Sequence, residues 1–273
     1  MDQGLRMRPR VVIARFLLRA GRFLQSLPVA IMRPKDLIAY SRHVYSQPHM
    51  VRMYSEPSCV ESGLSPQEKE LVHHLPSPPG RILLMGSGGG RDAIGLARLG
   101  FEVTALDFSP EQVRAAEGNA RRHGVKLHFL VQDMNDLDLG KRSYDVVWQS
   151  PYLYSTMPTR KLRKSVAARI ADSLIPGGIL VCQFRYEPDR KRKRSHAWLK
   201  SAAWLTMGNI WYDTGDVIFG DREFIHPFAS AEEVQAEVLS AGFESFHSQL
   251  LPDLNCGAIL FKTLPKASPN TKT

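Results

Sequence analysis

Beyond residue 80, short apolar runs alternate along the chain with amphipathic stretches. Seven runs have the length and apolar content of buried strands: RILLMG, FEVTALD, KLHFLVQD, YDVVWQS, GGILVCQF, FESFHSQLL and GAILFKTL. Four stretches place apolar residues at helical spacing: RDAIGLARLG, SPEQVRAAEGNARRHG, KLRKSVAARIADSL and SAEEVQAEVLSAGF. Because strands alternate with helices of this length, we expect an α/β fold with a doubly wound, mainly parallel sheet.

The first 35 residues predict a basic amphipathic helix. It opens at Pro9 and stops before Pro28, because proline suits a first helical turn and breaks an interior. Four arginines fall in one stripe of this helix: Arg8, Arg15, Arg19 and Arg22. They interrupt every apolar run well short of the ~20 residues that a membrane span needs. Three interpretations remain: a helix docked on the core, an in-plane membrane-surface helix, or an organelle presequence.

Residues 36–79 predict a helical lead-in to the main domain. Ser65, Pro66 and Glu68 form a capping-box start for its last helix. A proline-rich linker at 76–80 then precedes the main domain, which we expect over 80–265. We expect residues 185–228 to form a cap-like insertion in that domain, and 266–273 a flexible tail.

Composition and charge narrow the possible classes of protein. The chain has 273 residues, 43% hydrophobic and 23% charged, which is typical of a globular protein. Its formal charge of +9 comes from two segments, residues 1–35 and 185–200, so the rest of the chain is not basic and nucleic acid is not the expected partner. The three cysteines are too sparse for a disulfide framework or a metal site, which indicates a reducing, cytoplasmic compartment.

A glycine turn follows the first strand of the main domain and leads directly into a helix. Gly86, Gly88 and Gly90 allow positive φ and close approach of a ligand, while the free N–H groups of the helix start favour a polar or anionic group. Asp107 ends the next strand, where a carboxylate can accept hydrogen bonds from both hydroxyls of a ribose. The segment therefore predicts a site for a nucleoside-containing cofactor.

The spacing of these glycines distinguishes between the families of proteins that bind nucleoside-containing cofactors. A dinucleotide fingerprint would place its third glycine at Arg91, and no Gly-Lys-Ser/Thr follows for a Walker loop. The G-x-G-x-G turn, the acid Asp107 and the later acid in VQDM together resemble the class I S-adenosylmethionine-dependent methyltransferases. The resemblance covers residues 80–263 and implies a seven-stranded Rossmann-like sheet with an antiparallel C-terminal strand.

The resemblance implies a cofactor site for S-adenosyl-L-methionine and no metal. Its residues would be Gly86, Ser87, Gly88, Gly90, Asp107, Phe108, Asp133, Met134, Gln149 and Ser150. Pro151 and Tyr152 would follow beside the sulfonium, and LIPGG would form the turn before the fifth strand. One departure is Leu84, where the family usually has an acid; Asp92 is a candidate replacement.

The candidate catalytic residues are His226 and Tyr152. His226 lies in EFIHPF before the C-terminal helix, where related enzymes fold an insertion over the substrate, and it is the leading candidate base. His196 and Glu223 are weaker candidates for the same role. The insertion also carries a basic run at 190–194 and four aromatic residues, Trp198, Trp204, Trp211 and Tyr212. This insertion is either a solvated face or a lip that meets phosphate or membrane.

We expect methyl transfer to a small or amphiphilic, lipid-like metabolite by in-line displacement. Peripheral contact with an anionic membrane through residues 8–27 and 190–194 is a further expectation. The alternatives are an RNA methyltransferase, a catalytically degenerate cofactor-binding scaffold and, more remotely, a nicotinamide oxidoreductase. The acceptor atom and the oligomeric state stay open.

Overall fold

A computed structural model describes residues 9–139, 143–189 and 197–264. Nine strands are present in these ranges: β1 (Arg81–Met85), β2 (Glu102–Asp107), β3 (His128–Val131), β4 (Tyr144–Gln149), β5 (Leu174–Arg185), β6 (Val217–Phe219), β7 (Glu223–Ile225), β8 (Phe243–Leu251) and β9 (Cys256–Thr263). Seven of them form one sheet in the order β3-β2-β1-β4-β5-β9-β8, and β6 pairs with β7 in a separate hairpin.

The pairing confirms the predicted fold class. Strands β1 to β5 pair in parallel, whereas β9 runs antiparallel to both of its neighbours, β5 and β8. The strand order reverses direction between β1 and β4, and ligands of open α/β sheets bind at such a point, outside the carboxyl ends of the strands.

Eleven α-helices accompany the strands in the described ranges. They are α1 (Pro9–Ser26), α2 (Pro28–Ile31), α3 (Pro34–Tyr45), α4 (Pro48–Ser55), α5 (Pro57–Glu61), α6 (Pro66–Val72), α7 (Arg91–Arg98), α8 (Pro110–Arg122), α9 (Arg160–Ser173), α10 (Ala197–Leu205) and α11 (Ala231–Val238). The predicted capping box at the start of α6 is present, since Ser65 accepts from the Glu68 N–H and Glu68 accepts from the Ser65 N–H. In this part of the chain, no helix is both long and apolar enough to cross a membrane.

The alternating side chains of β1 show how the sheet is covered on both faces. Leu83 and Met85 pack into the cluster that α9 and α11 complete, whereas Ile82 and Leu84 pack into the cluster that α6 and α7 complete. All four side chains are fully buried, as expected for a central parallel strand. Leu84, which stands where the resemblance leads us to expect an acid, is therefore a core residue.

The segment LIPGG differs from the turn that the resemblance implies. Strand β5 begins at Leu174, immediately after α9, and so includes this segment. The register with β4 shifts here: Tyr144 pairs with Leu174, but Val146 already pairs with Ile179. The extra residues, among them Gly177 with φ of +79°, are accommodated as an irregularity within β5.

The N-terminal helices and the insertion pack on each other through a third apolar cluster. It joins α2 and α3 to α10 and the β6–β7 hairpin and contains Val29, Ala30, Leu37, Leu199, Ala203, Tyr212 and Phe224. We call this unit of α2, α3, α10 and the hairpin the cap. The predicted basic run at 190–194, His196 and the tail at 266–273 lie outside the described residues.

Candidate functional site

A cavity of about 440 Å³ lies at the carboxyl ends of β1, β2, β3 and β4. Its floor is the glycine turn after β1, and Asp107, Asp133 and Ser150 each follow or end a neighbouring strand. Its other wall comes from α3 and α4 and from β7 of the cap. The sheet edge and the cap therefore enclose one site at the place where parallel sheets bind ligands.

The glycine turn brings its backbone close to this cavity. Gly86 and Gly88 have φ of +76° and +48°, backbone angles that residues with a Cβ rarely adopt. A Cβ on Gly86 would lie 2.6 Å from Oγ of Ser150. The turn is thus a tight backbone surface on which a ligand can lie without side chains between them.

Asp107 is joined to this turn by hydrogen bonds. Its Oδ2 accepts from the N–H of Gly88 at 2.8 Å, and its Oδ1 accepts from the N–H of Ser109 at 3.0 Å. Burial raises the pKa of the Asp107 carboxyl, and these backbone donors partly offset the rise. Each oxygen retains a further lone pair for a hydroxyl donor, which suits the two hydroxyls of a ribose.

The buried hydroxyl of Ser87, at the same turn, bears on whether these residues fit a polar cofactor. Ser87 is 6% exposed and lines the cavity. Within the described ranges its Oγ has no hydrogen-bond partner. Because buried polar groups normally find a partner, a ligand in the cavity would satisfy it. The open glycine surface, Ser87 and Asp107 together fit a nucleoside with a polar tail.

The remaining predicted cofactor residues divide into two groups. Phe108, Asp133, Met134 and Ser150 line the cavity together with Gly86, Ser87, Gly88 and Asp107. Gly90 and Gln149 do not. A Cβ on Gly90 would lie 3.3 Å from Cβ of Ala116, so this glycine serves the packing of α7 on α8. Gln149 is fully buried at the end of β4, and its backbone carbonyl accepts from Nε2 of Gln183.

The two candidate catalytic residues lie in different places. Tyr152 lines the cavity in a left-handed backbone conformation with φ of +63°, a strained geometry that clusters at functional sites. Its ring lies 5.7 Å from the Arg185 guanidinium, and burial raises the pKa of its phenol. His226 is not among the cavity residues. Its Nδ1 lies 2.7 Å from Oδ1 of Asp216, and both side chains are buried.

The cap contributes side chains that the sequence did not single out for the site. Ile38, Ser41, Arg42 and Tyr45 line the cavity from α3 at positions i, i+3, i+4 and i+7. This helical spacing is the signal that would have found them. Arg42 forms an ion pair with Asp133, so α3 is tied to the loop after β3.

Glu223 of β7, a weaker candidate base in the sequence, also lines the cavity. It accepts a hydrogen bond of 2.8 Å from the hydroxyl of Tyr45, whose ring lies 5.8 Å from that of Tyr54. Burial raises the pKa of the Glu223 carboxyl, and Tyr45 and Arg222 partly offset the rise. A half-buried carboxylate and two phenols thus meet at the cap side of the cavity.

A second buried carboxylate lies beside the glycine turn. Asp92 lines the cavity and accepts from Nε of Arg91 at 2.6 Å, while the same guanidinium lies 2.7 Å from Oε1 of Glu68. Burial and the charge of Glu68 raise the pKa of Asp92 to about 6. Two carboxylates share one guanidinium here, so their charge favours a cationic group in the adjoining cavity.

Comparison with known proteins agrees with this geometry. A family model described as "Methyltransferase domain" matches residues 82–178, which include the glycine turn, Asp107 and Asp133. The chain contains a class I S-adenosylmethionine-dependent methyltransferase domain. The resemblance inferred from the sequence is confirmed, and so is S-adenosyl-L-methionine as the cofactor that this domain implies.

Individual relatives of the methyltransferase domain are similar over short stretches. The "Ubiquinone biosynthesis O-methyltransferase" of Xanthomonas axonopodis pv. citri is 40% identical over 75 residues, 27% of this chain and 31% of the relative. The "Ribosomal protein L11 methyltransferase" of Thermus thermophilus is 31% identical over 110 residues, 40% of each chain. The alignments thus span well under half the length of these curated relatives.

Solved structures share the fold over more of the chain. A SAM-dependent methyltransferase from Methanosarcina mazei matches with a TM-score of 0.59 and 22% identity, covering 75% of this chain and 100% of its own. A SAM-dependent methyltransferase from Aquifex aeolicus matches with a TM-score of 0.55 and 16% identity, covering 80% and 99%. At this identity the matches show the Rossmann-like methyltransferase fold.

Proposed function

We propose that the protein transfers a methyl group from S-adenosyl-L-methionine to a small, amphiphilic acceptor. The observation that carries this proposal is the shared cavity, in which the glycine turn and Asp107 lie opposite Tyr45, Tyr54 and Glu223 of the helices and hairpin above them. One side of the cavity suits a nucleoside, and the other offers aromatic surface and one carboxylate.

The chain's own residues would act mainly by placing the two reactants. When bound, S-adenosyl-L-methionine would supply an electrophilic methyl carbon, which the acceptor attacks in line as the carbon–sulfur bond breaks and S-adenosylhomocysteine leaves. Asp107 and the Gly88 turn would hold the sugar end, and Ser87 would engage the polar tail. The cap would exclude water and hold the acceptor at attack distance, which can contribute several orders of magnitude in rate.

We propose an oxygen nucleophile as the acceptor atom. Glu223 supports this choice, because a carboxylate in the cavity wall whose pKa is raised by partial burial can accept the proton that a hydroxyl loses on methylation. The relatives from Xanthomonas are O-methyltransferases by name, which agrees with an oxygen acceptor. His226 is directed at Asp216 instead, which favours Glu223 as the base.

We also propose that the acceptor is reached at an anionic membrane surface on which the protein rests peripherally. Helix α1 supports this, because most of its apolar side chains are exposed and its only charged residues are arginines. An amphiphilic acceptor would be concentrated at such a surface.

Labelled methyl transfer tests the proposed function. The purified protein is incubated with methyl-labelled S-adenosyl-L-methionine and an extract of its host, which is then separated into organic-soluble, RNA and protein fractions. We expect the label in the organic-soluble fraction and its loss with Asp107→Ala. Label in RNA would favour the RNA methyltransferase, and cofactor binding without transfer to any fraction would favour a scaffold.

A further inference from the structure

Helix α1 presents an apolar side that the other described residues leave exposed. Five apolar side chains spaced on one side of it are 50–68% exposed: Val12, Ile13, Phe16, Leu17 and Leu24. The end of the helix is anchored, where the Phe23 ring stacks on Trp198 of α10 at 4.5 Å. A monomer rarely leaves such a helix face in water without a partner.

A second exposed apolar group lies at the end of α10 and on the loop that follows it, over residues 204–211. Its members are 54–82% exposed: Trp204, Leu205, Met207, Ile210 and Trp211. Tryptophans are costly to leave in water and are enriched at the boundary between membrane and water, where an apolar ring and an N–H group can both be accommodated.

The loop is held firmly against the helix that follows α1. The Asn209 N–H donates to the Ala30 carbonyl at 2.8 Å, and Asn209 Nδ2 donates to the Val29 carbonyl at 3.2 Å. Gly208 approaches so closely that a Cβ there would lie 2.4 Å from the Ala30 oxygen. Asn209 and Val29, about 180 positions apart in the sequence, are thus joined. The loop after α10 packs on α2, and α2 directly follows α1.

Charge indicates what this surface meets. Helix α1 contains four arginines and no acidic residue, and the side chains of Arg10, Arg15 and Arg19 are exposed. Arg15 and Arg19 are one helical turn apart and lie beside the apolar side. An apolar helix face with arginines at its border is the arrangement by which peripheral helices lie in an anionic bilayer surface.

From these observations we infer that α1 and the loop 204–211 form one membrane-binding surface for anionic phospholipids. The inference rests on the proposed function only for the nature of the acceptor. Helices α2 and α3 connect this surface to the cavity, because α2 supports the loop and α3 lines the cavity. An acceptor lying in the bilayer would therefore be held close to the cap that closes the site.

Vesicle flotation of the full chain tests the surface without any cofactor or acceptor. The vesicles are phosphatidylcholine with or without phosphatidylglycerol. We expect flotation with the anionic vesicles, and its loss in the variants Trp204→Ser/Trp211→Ser and Phe16→Ser/Leu17→Ser. Since one arginine near an anionic surface contributes about 1 kcal/mol, Arg15→Gln/Arg19→Gln should weaken binding about 30-fold.

Controls separate this surface from general stickiness and from the proposed activity. Leu99→Ser changes an exposed leucine at the end of α7, away from the surface, and should float as the unchanged protein does. Binding of S-adenosylhomocysteine by each variant reports that the domain is folded. Equal recovery with neutral and anionic vesicles, no flotation at all, or flotation unaffected by the Trp204 and Phe16 variants would overturn the inference. So would sedimentation showing a dimer that Trp204→Ser/Trp211→Ser converts to a monomer, because a second copy would then cover the surface.

Discussion

The hydroxyl of Tyr45 donates a hydrogen bond of 2.8 Å to Oε1 of Glu223. This bond joins α3, which precedes the methyltransferase domain, to β7 of the insertion, and it does so at the wall of the cavity. Two segments outside the family's common fold thus meet over the site. Under the proposed function, the side chains at this contact would face the acceptor.

Replacing Glu223 by glutamine should separate catalysis from cofactor binding. The amide keeps the size of the side chain but cannot take a proton, so we expect kcat with a hydroxyl acceptor to fall by about 100- to 10,000-fold while the affinity for S-adenosylhomocysteine stays unchanged. Tyr45→Phe removes the donor that holds the carboxylate and should shift the acid limb of the pH–rate profile to higher pH. Unaltered turnover in Glu223→Gln would show that the carboxylate is not the base.

Glu223→Gln should also change how the stability of the protein depends on pH. Burial raises the pKa of Glu223 in the folded protein above its unfolded value. Such a carboxyl favours folding at acid pH, and this contribution is lost as the pH rises through the folded pKa. The gain in Tm of Glu223→Gln over the unchanged protein should therefore be larger at alkaline than at acid pH; a constant difference would contradict the cause assigned to the shift.

Asp92 should make cofactor affinity depend on pH. Its pKa of about 6 lies above the ordinary value of 3.8, so the group gains its charge as the pH rises through about 6. A cationic ammonium in the cavity prefers the charged form, and affinity for S-adenosylhomocysteine should rise by up to about tenfold per pH unit below this pKa. Calorimetry between about pH 5 and pH 7 measures the slope.

Two variants complete this experiment. Asp92→Asn should abolish the slope, whereas Asp138→Asn, an exposed aspartate after β3, should retain it. A slope that persists in Asp92→Asn would place the titrating group elsewhere.

Gly89 is expected to serve the packing of α4 on the glycine turn. A Cβ at this position would lie 2.1 Å from the backbone oxygen of Tyr54. Gly89→Ala should therefore lower both the free energy of unfolding, by about 1–3 kcal/mol, and the affinity for S-adenosylhomocysteine. Gly118→Ala is the matched control, since it lies in α8 with no heavy atom within 4 Å of its added Cβ.

Equal Tm values for these two alanine variants would show that α4 does not depend on the close approach. We expect Gly118→Ala to raise stability by about 0.5–1 kcal/mol, because alanine favours a helix interior.

The sequence predicted the sheet and the cofactor side of the site because their signals are local. Strand β1, the glycines and Asp107 follow one another within a short segment, and parallel pairing brings their ends together. The sequence predicted the insertion at 185–228, but residues 29–45 and 199–224 meet only in the folded chain, so nothing local predicted that the N-terminal helices complete the cap. Glu223 and His226 illustrate the difference: alternation along an extended segment places them on opposite sides, and only Glu223 lines the cavity.

Calorimetric titration of S-adenosylhomocysteine tests the central claim most directly, namely that Asp107 holds the ribose of this cofactor beside the glycine turn. The unchanged protein and Asp138→Ala should bind alike, and Asp107→Ala should bind about 10- to 100-fold more weakly, because hydrogen bonds to a carboxylate are each worth about 1.5–3 kcal/mol. Asp107→Asn, which keeps one oxygen and the size of the side chain, should fall between them. Absence of binding by the unchanged protein, or equal affinity in the Asp107→Ala and Asp138→Ala variants with both folded, would contradict the account.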